Sequence, residues 1–546
     1  MSRTHSYRTA RPRVHWSATG VSLGALAYLE SLRPSLLARS TTTQIAVSTL
    51  ALVTGYGLGA GVGAIARAVV RGGGYPRPSA PTRHWLLAFL VGLPVAVALA
   101  ATSYRLGWQA AQASVDGLAD TPNAWLTTAG TLLLSTLVVL AARGLRWASR
   151  RVGHRYSRHL ASRALSNALG GVTIAAAVIC AVVMATWFLG VRGEPSAAQA
   201  GAVPPPTSFL RSGGPGSEAD FASLGAQGRR YVTGGPGAVD IDAVLGISNA
   251  VEPIRVYVGM QSAGTTGARV ALAVRELERT GAFSRPAIVV ITANGDGSVD
   301  PVAADSLEYV LHGDVASVTV QYSTAPSWSA FLGDHAAAAD AGVALLEAVD
   351  AKVATLPGDE RPKVYAYGQG LGAYGSQSPF ADHGVAGIAR RSDGALWVGP
   401  PHASRLRSQL VARSHEGPPW APIVQHGSVV RFAADADGLA VPASTWGTVR
   451  AAYLQQTTDP VVYFAVPLLW SRPDWLDERG PGVPTQMSWR PLLTFYQVAA
   501  DLLSADRVPP GQGHDYADSI TQAWVDVLQP SDWTSTQTDA VRQAVT

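Results

Sequence analysis

Apolar residues form long unbroken runs in the first third of the chain and short ones in the remainder. The long runs lie near Trp16–Leu32, Ile45–Val70, Trp85–Ser103, Trp125–Ala142 and Gly170–Gly190. Each approaches or reaches the roughly 17–25 apolar residues that a helix needs to cross a hydrocarbon core, so the pattern predicts a bundle of about five transmembrane helices. The first run is the weakest, because it carries Glu30 and is followed by Arg33-Pro34. From residue 250 the rhythm changes. Strands are predicted at Ile254–Gly259, Ala287–Thr292, Ser317–Gln321, Val364–Tyr367, Ala395–Val398, Val429–Phe432 and Val449–Leu454. Helices are predicted near Ala268–Thr280, Val302–Leu311, Ala336–Val353, Pro491–Leu503 and Ala517–Val527. Strands spaced by helical runs of this length predict an α/β domain with a doubly wound, mainly parallel sheet.

Between the two regimes, residues 194–240 contain Pro204-Pro-Pro206, Gly213-Gly-Pro-Gly216 and Gly234-Gly-Pro236. Such Pro/Gly density marks a domain boundary. The expected organisation is a transmembrane helical domain at 1–193, a linker at 194–240 and an α/β domain at 241–546.

Composition sharpens the membrane reading. Charged residues make up 15% of the 546 residues, against about 25% in soluble domains. Arginines gather in alternate loops: Arg3, Arg8, Arg11 and Arg13, then Arg71, Arg77 and Arg83, then a series from Arg143 to Arg163. The positive-inside rule then places the N-terminus in the cytoplasm and, after five crossings, the C-terminal domain outside the cell membrane. The net charge of +4 is small, and with the arginines serving topology no basic patch remains to bind nucleic acid. The partner predicted instead is the lipid bilayer. Cys180 is the single cysteine, so no intrachain disulfide can form. Gly55, Gly59 and Gly63 give one helix a small-residue face, which suits close packing inside the bundle; an oligomer through that face is not predicted.

The candidate chemistry centres on Lys363–Tyr374, where an apolar strand breaks at Gly368 and resumes as a helix start. Strand, sharp turn and helix are the layout of a nucleophile elbow, G-x-S-x-G. The frame here is Gly368-Gln369-Gly370-Leu371-Gly372, with glycine where the nucleophile would stand. Two further strand-end loops supply an acid, Asp459, and a histidine, His514. Elbow, Asp and His follow the chain order of α/β-hydrolases, in which His514 would act as general base, oriented by Asp459. The loop Asn294-Gly295-Asp296-Gly297-Ser298 suits backbone donors to an oxyanion. Other nucleophiles are poorly placed: Ser376 lies too far along the helix, and Thr457 and Thr458 sit beside the acid. The same glycines, Gly368, Gly370 and Ala373, fit the dinucleotide fingerprint G-x-G-x-x-G/A, but Asp393 precedes the next strand instead of ending it, so that alternative is the weaker one. No cofactor and no metal are expected.

From about residue 208 the sequence resembles a family of bacterial α/β-hydrolases with an N-terminal multi-helix membrane domain, found in high-GC bacteria. The resemblance rests on Pro253-Ile-Arg-Val-Tyr-Val-Gly259, Glu276–Phe283, Asp393–Pro401, Asp459-Pro-Val-Val462, Arg472-Pro-Asp-Trp475 and Gly511-x-Gly-His514. It implies esterase- or lipase-like serine hydrolases, with Asp459 the acid, His514 the base and Gly370 in the serine's place. Gln369 and Ser298 also depart from the expected pattern. The resulting expectation is a membrane protein whose hydrolase site binds a lipid or ester-like ligand and is catalytically impaired by Gly370. The alternative is an active ester or lipid hydrolase, either through a serine removed at this position or through a nucleophile outside the elbow.

Overall fold

The computed structural model of the chain describes residues 16–73, 79–115, 121–156, 203–325, 335–414 and 416–546. They fall into two compact units, one holding the first four helices and the other holding residues 203–546.

The helical unit contains α1 (Ala18–Ser31), α2 (Thr41–Gly72), α3 (Ala80–Val115) and α4 (Ala124–Tyr156). Ser17 and Ser40 cap α1 and α2, each accepting a main-chain N–H in the first turn. Three helices, α2 to α4, are long and apolar enough to cross a membrane. At about 1.5 Å per residue, the 14 residues of α1 span roughly 21 Å, short of a core of about 30 Å. The first predicted segment is therefore helical but too short to count as a full crossing. The fifth, Gly170–Gly190, lies outside the described residues. Apolar side chains such as Phe89 (69% exposed) and Ile65 (66%) point outward from the bundle, as lipid-facing positions do. The glycine face of α2 is filled by α1: a Cβ at Gly55 would meet Leu23 O at 2.7 Å, and one at Gly59 would collide with Thr19 O. Glu30 pairs with Arg33 at 2.8 Å and Arg105 at 3.4 Å.

The second unit is built on seven strands: β1 (Ile254–Val258), β2 (Ala287–Thr292), β3 (Ala316–Val320), β4 (Lys363–Gln369), β5 (Gly394–Val398), β6 (Val430–Ala433) and β7 (Arg450–Leu454). All pair in parallel, in the order β1-β3-β2-β4-β5-β7-β6. The helices are α5 (Gly225–Thr233), α6 (Ala238–Leu245), α7 (Thr266–Arg279), α8 (Pro301–Val310), α9 (His335–Ala354), α10 (Leu371–Gln377), α11 (Gly384–Arg391), α12 (Arg405–Arg413), α13 (Pro460–Tyr463), α14 (Leu493–Asp501), α15 (Ala517–Leu528) and α16 (Ser535–Val545). Alternate strand positions feed two cores. Ile288, Val290, Ala366 and Trp397 face α7 and α9 on one side; Val289, Ile291, Tyr367 and Leu396 face α8 and α15 on the other. Burial on both faces explains why these strands read as continuous apolar runs.

The stretch expected to be a linker is, from residue 203, folded onto the sheet. Arg211 donates to the carbonyls of Val232 (3.1 Å) and Gly234 (2.5 Å), and Arg255 donates to that of Tyr231 (2.9 Å). These two arginines satisfy the turn between α5 and α6 that its Pro/Gly composition leaves without regular partners. Arg255, 2% exposed, also clasps Glu308 with bonds of 2.6 and 2.8 Å and Asp305 at 2.5 Å.

Removing one partner of a buried pair leaves the other charge uncompensated. Arg255→Met is therefore expected to destabilise the protein by about 3–5 kcal/mol. The double change Arg255→Met/Glu308→Leu should recover much of that loss, as read by thermal unfolding of the full-length protein.

Candidate active site

β4 and α10 meet at Gly370, and the surrounding glycines explain how so sharp a turn packs. A Cβ at Gly368 would collide with the carbonyl of Gly372, and one at Gly372 with that of Thr292 at the end of β2. Gly370 itself has φ 54° and ψ −124°, a conformation that disfavours any residue with a Cβ. Its N–H donates to Val398 O at 2.9 Å, which ties the turn to the end of β5. A Cβ built there would point at His514, 3.1 Å from Nε2, with Asn294 Oδ1 at 3.4 Å.

Asp459 and His514 come to this turn from separate loops. Asp459 follows β7, caps α13 ahead of Pro460, and is fully buried. Its Oδ1 accepts the N–H of Val461 at 2.8 Å; its Oδ2 lies 2.7 Å from His514 Nδ1 and accepts the Tyr516 hydroxyl at 2.7 Å. Tyr516 is fixed in turn by the N–H of Gln456, which donates to its hydroxyl at 2.9 Å. The His514 loop is anchored by its own N–H to Ala505 O (2.9 Å) and by Gly513 N–H to Thr458 Oγ1 (3.1 Å). At the end of β5, Gly399 has φ 53°, and a Cβ there would lie 2.6 Å from His514 Nδ1 and 2.8 Å from Asp459 Oδ2. Only glycine lets β5 pass this pair.

The structure thus brings together Gly370, His514, Asp459, Gln369 and Leu371. Gln369 reaches toward the carbonyl of His514 at 3.4 Å. It does not bring Gly297 into the site as a donor. Gly297 N–H is used inside its own turn, donating to Asn294 O at 2.9 Å, because Gly297 adopts φ 86° to close that turn. Neither Gly295 nor Gly297 lines the cavity, whereas Asn294, Asp296 and Ser298 do. The Gly297 N–H is therefore not free for an oxyanion. Ser376, on the opposite face of the sheet, accepts the Trp397 indole N–H at 3.1 Å and is 4% exposed, so it faces no base. Asn294, Gly399 and Tyr516 were not singled out from sequence. Asn294 and Gly399 lie inside quoted motifs and Tyr516 two residues beyond one, but their roles depend on approaches between distant segments.

The family described as "Alpha/beta-hydrolase family" matches residues 254–541, and the one described as "Alpha/beta-hydrolase family N-terminus" matches residues 32–236. The chain belongs to the alpha/beta-hydrolase family. No curated protein and no solved structure is similar enough to be compared with it. The family match opens at the first residue of β1 and closes in α16, and so takes in the whole sheet.

In this alpha/beta-hydrolase domain a cavity of about 830 Å³ opens beside Gly370 and His514. Its size is that of a small-molecule site. Burial pushes the His514 imidazole down, but the charge and hydrogen bond of Asp459 outweigh it and raise the pKa from 6.5 to about 9. The folded-state value lies above the unfolded one. The stabilisation is therefore complete below pH 6.5 and is lost as pH rises through about 9. Its size is on the order of 3 kcal/mol. Thermal unfolding of the full-length protein and of His514→Gln across this range should show the gap between them narrowing as pH rises; a constant gap would mean that the pair does not titrate as a unit.

Proposed function

We propose that this chain is a membrane-embedded member of the alpha/beta-hydrolase family whose site binds a lipid- or ester-like ligand and forms no acyl-enzyme. The observation that carries the reading is Gly370. It occupies the strand–helix turn, its Cβ direction aims at His514 Nε2, and it has no side chain to attack with. Loss of the nucleophile from such a constellation costs about 10⁶ in turnover. What remains is a base with its acid, the N–H of Leu371 as the donor left for an oxyanion, and a largely apolar cavity.

A second reading, an active ester hydrolase whose serine belongs at this position, is favoured by how fully Asp459 and His514 are still held. Labelling tests the first reading, and ester turnover by Gly370→Ser separates it from the second: turnover at the level of a serine hydrolase favours the second, labelling without turnover the first. Under the first reading the protein does not react with a fluorophosphonate probe, whereas Gly370→Ser gains labelling that His514→Ala then abolishes. Labelling of the unaltered protein would expose a nucleophile elsewhere and sink the proposal.

With the Arg-rich segments after α2 and α4 inside and the predicted crossing at Gly170–Gly190, the proposed orientation places the hydrolase domain outside the cell, whether or not α1 crosses. In a Cys180→Ala background, an impermeant thiol reagent should label a cysteine at Asp359, which is exposed, and spare one at Ser149. The opposite pattern would reverse the topology.

A further inference from the structure

The cavity beside Gly370 has a one-sided charge that neither the hydrolase chemistry nor the fold requires. Asp296 and Asp300, from the loop between β2 and α8, line it together with Asp506 and Asp515, from the loop before α15; among the described residues no lysine or arginine does. None of these four carboxylates makes a salt bridge among the described residues. Three of them are held instead by neutral donors. Asp296 Oδ1 accepts Ser298 Oγ (2.6 Å) and N–H (3.0 Å), and its Oδ2 accepts Gln227 Nε2 (3.0 Å). Asp300 Oδ1 accepts Ala303 N–H (2.8 Å) at the start of α8, and Asp515 Oδ1 accepts Ala517 N–H (3.0 Å) at the start of α15. Such bonds orient a carboxylate without neutralising it. His514, paired with Asp459, attracts Asp300 less strongly than Asp515 repels it.

The rest of the lining is mostly apolar and includes an aromatic pair. Phe464 and Phe495 lie with ring centroids 5.0 Å apart, beside Val461, Leu502 and Leu503. Uncompensated carboxylates give the cavity a negative local potential that favours an ammonium group, while the aromatic and aliphatic side chains offer an apolar surface to a chain.

We infer that the ligand of this cavity is a single-chain amphiphile carrying an ammonium group, and that the four carboxylates exclude anionic lipids and free fatty carboxylates. This rests on the reading of the cavity as the ligand site. The chain would lie against the Val461, Phe464, Phe495, Leu502 and Leu503 side chains, with the ammonium near Asp296 and Asp300. Burial, and beyond it the neighbouring Asp515 charge, raises the Asp300 pKa despite the Ala303 N–H. A bound cation would relieve that strain. Exclusion of the wrong headgroup by like charge is as much a part of specificity as attraction of the right one.

The test uses the full-length protein in nanodiscs of neutral lipid, titrated with octyltrimethylammonium, octanol and octanoate below their micellar concentrations, with empty nanodiscs subtracted. The ammonium is expected to bind about tenfold or more tighter than octanol, and octanoate more weakly than either. About 0.5 M salt should shrink the spread. Asp296→Asn/Asp300→Asn keeps the hydrogen-bond acceptors that hold Ser298 and cap α8, and should shrink the spread between the three ligands by about threefold or more, with Asp506 and Asp515 sustaining what remains. If octanol binds but ammonium and carboxylate bind equally, the cavity stands as a ligand site and the charge selection is overturned. If none of the three binds, the cavity is not a ligand site and both claims fall.

Discussion

The α/β unit depends on main chains meeting with no side chain between them. Gly368 in β4 touches the carbonyl of Gly372 in α10, and Gly372 touches that of Thr292 in β2. One turn later Gly375 meets the carbonyl of Ala338 in α9, and Gly342 of α9 meets that of Gly375. Four glycines thus bring two strands and two helices into backbone contact along one line. Packed interiors deform little, so this line fixes where the turn at Gly370 stands relative to the sheet.

The other site groups are brought to that fixed point by longer routes. Asp459 arrives from the end of β7, and His514 and Tyr516 from the loop ahead of α15, whose helix lies in the second core with Tyr367, Leu396 and Trp524. Asp459 then accepts three hydrogen bonds from three different residues, so its buried charge is satisfied without any lysine or arginine. The close passage of Gly399 completes the arrangement, because β5 runs between the turn and the pair.

Much of this was legible in the sequence for a physical reason. All seven strands are predicted within one or two residues of their ends, because burial on both faces leaves each one mostly apolar. Gly370, Asp459 and His514 could be named because strand-end loops converge in a parallel sheet, whatever the order of its strands. Interactions made across long separations left no such local signal. The Pro/Gly-rich stretch ahead of β1 looks like a linker until Arg211 and Arg255 are seen to satisfy its carbonyls. Gly297 looks like a donor until its own turn consumes the N–H. The order β1-β3-β2-β4-β5-β7-β6, with β6 outside β7, follows no periodicity in the chain.

The backbone of Gly370 bears on how readily this position can change. At φ 54° and ψ −124° a residue with a Cβ is strained, by something on the order of 1–3 kcal/mol for such sparsely populated conformations, whereas glycine occupies the region at little cost. A serine here would trade stability for reactivity, the exchange that active sites make as a rule. Glycine reverses it. The turn relaxes while the glycine line, the buried acid and the histidine stay in place, since none of them depends on an oxygen at residue 370. A chain freed from selection for turnover therefore moves downhill in free energy on reaching glycine, and stability alone gives it no reason to return.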